Sequence, residues 1–351
     1  MPARRAAVAL VALSVTGCTG GNDEPPPPQQ FTDVEATVDL DAVAPGGVDV
    51  LGLGPTDDGA LVLLGDTADP RVGYLATLTD DGLGEVRRLE DVGTQLLVAP
   101  DGTALVVGPD RITSVPASGA PTVTEVVLKE LAAAALSPDG SRLYAATADR
   151  LVSLDAATGD TRAETDLDEG LTVVALAVPD DGGPTALMSD ARAPDLADVA
   201  VLGTWDEDLE EFDLVELAPD RPASIPSALR LADDGTAVVS LTAGSSDDPF
   251  RVVTVRDGEV QASHAVPGTD RPLADLAVSA DGRVAHLPVA GFEVESGVVT
   301  LDLASGEQLA DVRLCEGQAA FGRVALSGDR LTVIGSCITA EAASSTAFVV
   351  G

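Results

Sequence analysis

Seven copies of one four-stranded β unit, closed into a ring, is the fold class this sequence predicts, and three observations predict it. Asp-Gly pairs recur at Asp58-Gly59, Asp101-Gly102, Asp139-Gly140, Asp181-Gly182, Asp234-Gly235 and Asp281-Gly282, and a permuted Gly328-Asp329 ends the series. These pairs stand between short apolar runs, as in TQLLVAPDGTALVVG and ADLAVSADGRVAHLP. That pattern marks a hairpin, because glycine tolerates positive φ at little steric cost. From Gly59 to Gly328 the six steps average about 45 residues, the length of four short strands, and helical periodicity is nowhere sustained. The class is therefore all-β, a seven-bladed β-propeller. Two β-sandwich domains with similarly spaced strands are the alternative.

In chain order, residues 1–17 read as a signal peptide: Arg4 and Arg5 precede an apolar run over 6–15. That run is far short of the roughly 20 residues that span a bilayer. It ends in Val15-Thr16-Gly17-Cys18, which resembles the lipobox of bacterial lipoproteins. The resemblance implies that Cys18 is diacylated on sulfur and becomes the mature N-terminus. An ordinary secretory signal with a chance cysteine is the alternative. Arg4-Arg5 also begins a twin-arginine export signal, although the rest of that motif is absent. Residues 18–30 are polar and hold Pro25 to Pro28, which suits an extended, semi-rigid spacer. Residues 31–351 form the propeller domain.

The domain opens on DVEATVDLDA (33–42), which reads like outer strands elsewhere, such as TRAETDLDEG. The last unit runs out after Thr346–Val350, one strand short. The N-terminal strand is therefore expected to complete the last blade, three strands plus one, because an open ring leaves unpaired edges and an uncovered sheet face. The clearest unit is the third, LSPDGSRLYAATADRLVSLDAATGDT (136–161). It resembles the repeat of YVTN-type and related WD-repeat-like propellers, in the lactonase-like and quinoprotein-like superfamily. Strands are expected at 132–136, 142–146, 151–155 and 161–167. The stretch ATAD stands where such repeats often carry an asparagine.

The chain carries 58 acids against 20 bases, a formal net charge of −38. That balance excludes a nucleic-acid partner, since phosphate binding needs a basic surface. It also excludes direct adsorption to anionic headgroups, so the membrane is reached only through the lipid. The acids are dispersed, as on a solvated exterior.

Candidate chemistry is sparse. The Ser-Pro-Asp-Gly acids occur once per blade and serve turns through side-chain to backbone bonds. Cys315 and Cys337 are the thiols left after lipidation, and strand directions bring them to one face of neighbouring blades near the closure. An exported compartment favours a disulfide there; free thiols or a metal pair are the alternatives. His264 and His286 lack partners at ligand spacing, and no Gly-x-Ser-x-Gly elbow occurs. The acidic run WDEDLEEFDLVE (205–216) lacks EF-hand spacing and reads as a charged outer edge. Arg71, Arg192, Arg221 and Arg271 fall in loops that share one face. They are candidates for holding a carboxylate or phosphate, with local Asp–Arg pairing as the alternative.

Taken together, the expectation is a lipid-anchored, extracytoplasmic, monomeric scaffold at the outer surface of a cell membrane. It binds an envelope or extracellular protein, or a small anionic ligand, without a cofactor, a metal site or a catalytic group. A propeller enzyme of lactonase-like or quinone-dependent type is the alternative, although the single Trp205 does not provide the tryptophan docking motifs of quinone enzymes. A part of an envelope-assembly machine is a further one. Fold resemblance alone does not decide among them.

Overall fold

Each Asp-Gly hairpin joins the two innermost strands of a blade. The computed structural model describes residues 27–192, 199–218, 224–243, 250–266, 269, 273–290, 295–338 and 343–351. Among these, seven antiparallel sheets of four strands form the blades of a β-propeller. Blades one to six cover 48–90, 95–125, 133–166, 171–216, 224–265 and 277–315, each running from its inner to its outer strand. In blade seven, Ala319–Ser327 is innermost, followed by Arg330–Ile338 and Ala343–Val350, with Val34–Asp39 on the outside.

The hairpins behave as turn fasteners. Asp101, Asp139, Asp234 and Asp281 each accept a hydrogen bond from the backbone N–H two residues on, at 2.9, 3.0, 3.0 and 3.1 Å. The Ser137 hydroxyl on Asp139, helped by the N–H and hydroxyl of Ser141, pulls that carboxyl down to about 2. Blade one is offset by a residue: Thr56 pairs with Gly59, so Asp57 and Asp58 make its turn. These hairpins, with the turns between third and fourth strands, define a turn face. The other connections lie at the opposite end of the strands, the loop face.

The core lies between blades. Seven clusters of buried residues each join one neighbouring pair; Leu105, Val107 and Ile112 of blade two, for example, pack with Leu143, Val152 and Leu154 of blade three. A blade covered on both sides explains the sequence of its second strand. Gly59–Asp66 and Val284–Val289 are buried almost throughout and read as continuous apolar runs. Outer strands such as Thr161–Asp166 have no buried position and carry charge. Close approach of the inner strands also requires small residues: a Cβ on Gly52 would lie 2.5 Å from Leu96 Cβ, and one on Gly54 would lie 2.5 Å from Val98 Cγ2.

Closure follows the three-plus-one expectation. Val34–Asp39 pairs antiparallel with Ala343–Val350, Val34 opposite Val350 and Asp39 opposite Thr346. Arg330 of blade seven reaches Glu35 at 3.1 Å and Asp80 of blade one at 3.2 Å. The Ser327 hydroxyl donates to the Thr56 carbonyl across the same seam. Cys315, at the end of Gln308–Cys315 in blade six, and Cys337 in Arg330–Ile338 form a disulfide with Cα atoms 5.5 Å apart. A closed segment of this length stabilises by roughly 3 kcal/mol in the chain-entropy picture.

The segment before the closing strand is also built in. Phe31 is buried and meets the His286 ring edge-on, with centroids 4.7 Å apart. His286 is fully buried; its Nδ1 lies 3.0 Å from the Thr300 hydroxyl, and among the described residues its Nε2 has no partner. Burial pulls its pKa from the ordinary value near 6.5 down to about 4.

Two outcomes are expected. Removing residues 31–42 uncovers the edge of Ala343–Val350 and deletes Phe31, Val38 and Leu40 from the core, so the truncated protein should melt well below the intact one by circular dichroism. The second concerns acid. As pH falls the unfolded chain takes up a proton on residue 286 before the folded one does, so this contribution to stability is complete above about pH 6.5 and is lost by about pH 4. In urea titrations at pH 7.5 and pH 4.5, the stability gap between wild type and His286→Leu should shift by roughly 2–3 kcal/mol against the wild type at the lower pH.

Candidate functional site

The loop-face arginines divide. Arg71 ends the turn between Gly59–Asp66 and Val72–Thr79 and is exposed. Its backbone N–H donates to Asp69 at 3.1 Å and its carbonyl accepts from Asp91 at 2.6 Å. Among the described residues no carboxylate pairs with its guanidinium. Arg192 differs. It forms a two-pronged pair with Asp190, Nε to Oδ1 at 2.9 Å and Nη2 to Oδ2 at 2.8 Å, and its Nη1 reaches Asp168 at 2.8 Å. The guanidinium holds the Asp190 carboxyl below its ordinary range. The Arg192 stem also lies over Gly170, where a Cβ would meet its Cγ at 2.7 Å. Arg192 is thus engaged in local pairing that fixes its own loop. Arg221 and Arg271 lie outside the described residues, as does Cys18.

The acidic run after Trp205 has a structural use. Trp205 and Phe212 stack with centroids 4.5 Å apart. The Glu207 carbonyl accepts from Arg142 at 3.0 Å and from the Tyr144 hydroxyl at 3.3 Å, and its carboxylate pairs with Arg142 at 3.2 Å. This hairpin of blade four is docked on blade three. His264 lies 3.0 Å from the Leu303 carbonyl. Among the described residues no group of three or more His, Cys, Asp or Glu side chains gathers to hold a metal ion.

A different site stands on the ring axis. The inner strands of all seven blades line a channel of about 590 Å³, walled mostly by Leu, Val, Ala and Gly. Three charged residues break that wall: Arg230 from blade five, Asp275 ahead of blade six and Arg323 from blade seven. Asp275 is 3% exposed. It accepts from Arg230 Nη2 at 2.5 Å, from the Leu276 N–H at 2.9 Å and from the Val324 N–H at 3.1 Å. One carboxylate therefore ties blades five, six and seven together. It stands just before the inner strand of blade six, which is reduced to Ala277–Val278.

Arg323 is left over. Its Nη2 donates to the Leu51 carbonyl of blade one at 3.3 Å, and among the described residues it has no carboxylate partner. It also lines a second cavity of about 420 Å³ at the seam of blades seven and one, with Asp49 and Ser336. Arg323 therefore stands where the channel meets that seam cavity.

Residue-type reasoning missed this trio, which sits inside stretches already assigned as inner strands, SALRLADDG, ADLAVSADG and GRVALSG. The available signal was a charge in an inner strand, whose two faces both pack on neighbouring blades and are otherwise mostly apolar.

No family model matches the sequence, and no curated protein matches it. Among solved structures, that of Kuenenia stuttgartiensis hydrazine synthase is similar, with a TM-score of 0.62 at 13% identity over 92% of this chain and 98% of that one. At that identity the likeness shows the propeller fold alone.

Replacing Asp275 tests the tie. Asp275→Ala leaves the Val324 N–H and a half-exposed Arg230 without their acceptor, so urea denaturation should show a loss of roughly 2 kcal/mol or more. Asp275→Asn should lose less.

Proposed function

We propose that the protein is a surface-held, extracytoplasmic lipoprotein whose propeller binds a partner or ligand without transforming it. The supporting observation is where the chain enters the ring. Gln29 Nε2 donates to the Gly328 carbonyl at 3.1 Å, in the inner hairpin of blade seven, and Val34 pairs at the same end with Val350. The segment that would lead to an acylated Cys18 therefore joins the turn face. The loop face, with exposed Arg71 and the seam cavity at Arg323, lies at the far end of the strands from that attachment. Such an order of lipid, spacer and rigid ring presents one face and tethers the other.

Two acyl chains anchor stably where one binds marginally. Ahead of the docked Gln29, spacer residues 19–28 would reach about 31 Å in polyproline form. His286 is closed in the core and so is not presented to a bound molecule as a base.

The test has two parts. Cys18→Ser should abolish incorporation of labelled palmitate and move the protein from the membrane pellet to the soluble fraction. On lipid vesicles, a bulky membrane-impermeant maleimide should modify Ala68→Cys on the loop face several-fold faster than Ala157→Cys on the turn face, with equal rates in detergent. Unchanged acylation, or equal rates on vesicles, would overturn the reading.

A further inference from the structure

We infer that the axial channel is a binding site for a small organic anion, whose carboxylate or phosphate is taken by Arg323 and whose carbon body lies against Leu, Val and Ala side chains of the inner strands. This rests on the reading of the ring as a binding scaffold, and it names the ligand class.

The chain as a whole carries −38, yet the described charged side chains of the channel are two arginines and one aspartate. The aspartate is spent. Its three hydrogen bonds come from Arg230, Leu276 and Val324, and it is buried. What remains toward the cavity is one net positive charge, carried by Arg323. A guanidinium has five N–H donors, and Arg323 commits one of them at 3.3 Å to the Leu51 carbonyl. Most other described arginines of this acidic chain pair with a carboxylate, as Arg111, Arg142, Arg192 and Arg330 show, whereas Arg71 is exposed on the surface. Arg323 is half-buried and, among the described residues, has no carboxylate within ion-pair reach, Asp49 lining only the adjoining seam cavity, so a bound anion would supply the missing partner.

The position is held rigidly. Val324, the residue after Arg323, is bonded to Asp275, and Asp275 also holds Arg230. The two guanidinium groups are thereby set on blades five and seven, on either side of blade six. A channel of about 590 Å³ lies within the range that buries a drug-sized molecule. Most of the accessible lining is polar, so the anionic head is what the channel recognises. The smaller apolar share from Leu, Val and Ala gives an organic anion a contact that a bare mineral ion lacks.

Calorimetric titration of the full-length protein in detergent with hexanoate, succinate and inorganic phosphate tests the site. At least one organic acid should bind, more tightly than phosphate and more weakly as salt is raised. Arg323→Gln should weaken it at least tenfold with an unchanged melting temperature, Arg323→Lys should weaken it less, and Arg71→Gln should leave it unaltered. Ser227→Asp, which adds a carboxylate to the channel wall without touching either arginine, should also abolish binding. This second variant decides the matter if Arg323→Gln fails to fold. Absence of binding by all three probes at about 10 mM, or binding indifferent to both channel variants, would overturn the inference. The scaffold reading fails separately, through the acylation and labelling results.

Discussion

A twisted four-stranded sheet has two faces, and a blade of this chain can cover neither by itself. Each face is buried against the next blade, so the stability of every unit depends on the ring being complete. The seven interblade clusters are the physical form of that dependence. Closure is consequently a global matter. The last blade borrows Val34–Asp39 from the N-terminal end; Arg330 between Glu35 and Asp80 and Ser327 on Thr56 then hold it to blade one, while the disulfide staples it to blade six. These contacts gather on the blade whose sheet is assembled from both ends of the described chain.

The same geometry creates the channel. Inner strands converge on an axis, and close convergence demands small side chains, as at Gly52 and Gly54 against Leu96 and Val98. A charge buried beside so narrow a space needs its partners close at hand. Asp275 meets that condition with three donors drawn from three blades, while its own blade gives up most of an inner strand. Arg323 meets it only in part, and that remainder distinguishes the axis from the rest of an acidic molecule.

Elsewhere the acids have mostly local uses. Asp139 clamps its own hairpin, Asp190 and Asp168 hold Arg192, and Glu207 docks one blade on the next through Arg142 and Tyr144. Short-range pairing of this kind orders loops and turns, and for exposed groups it adds little to global stability.

The number of blades, their four-strand form and the borrowed closing strand could all be read from residue order. Hairpin turns and buried strands are encoded locally, by Asp-Gly pairs and by apolar runs such as GALVLLGD. The pairing of Cys315 with Cys337 followed from strand direction for the same reason. The charged site was not legible in this way. Arg230, Asp275 and Arg323 stand far apart in the chain, and only the ring brings them to one axis. Conversely, Arg71 and Arg192 look alike in sequence, and only the fold sets Arg192 against Asp190 and Asp168 while leaving Arg71 exposed. Sequence by itself determined the architecture, because strands and turns are short-range properties repeated seven times. Tertiary structure alone decided which charges are spent and which remain available, because that depends on neighbours contributed by other blades.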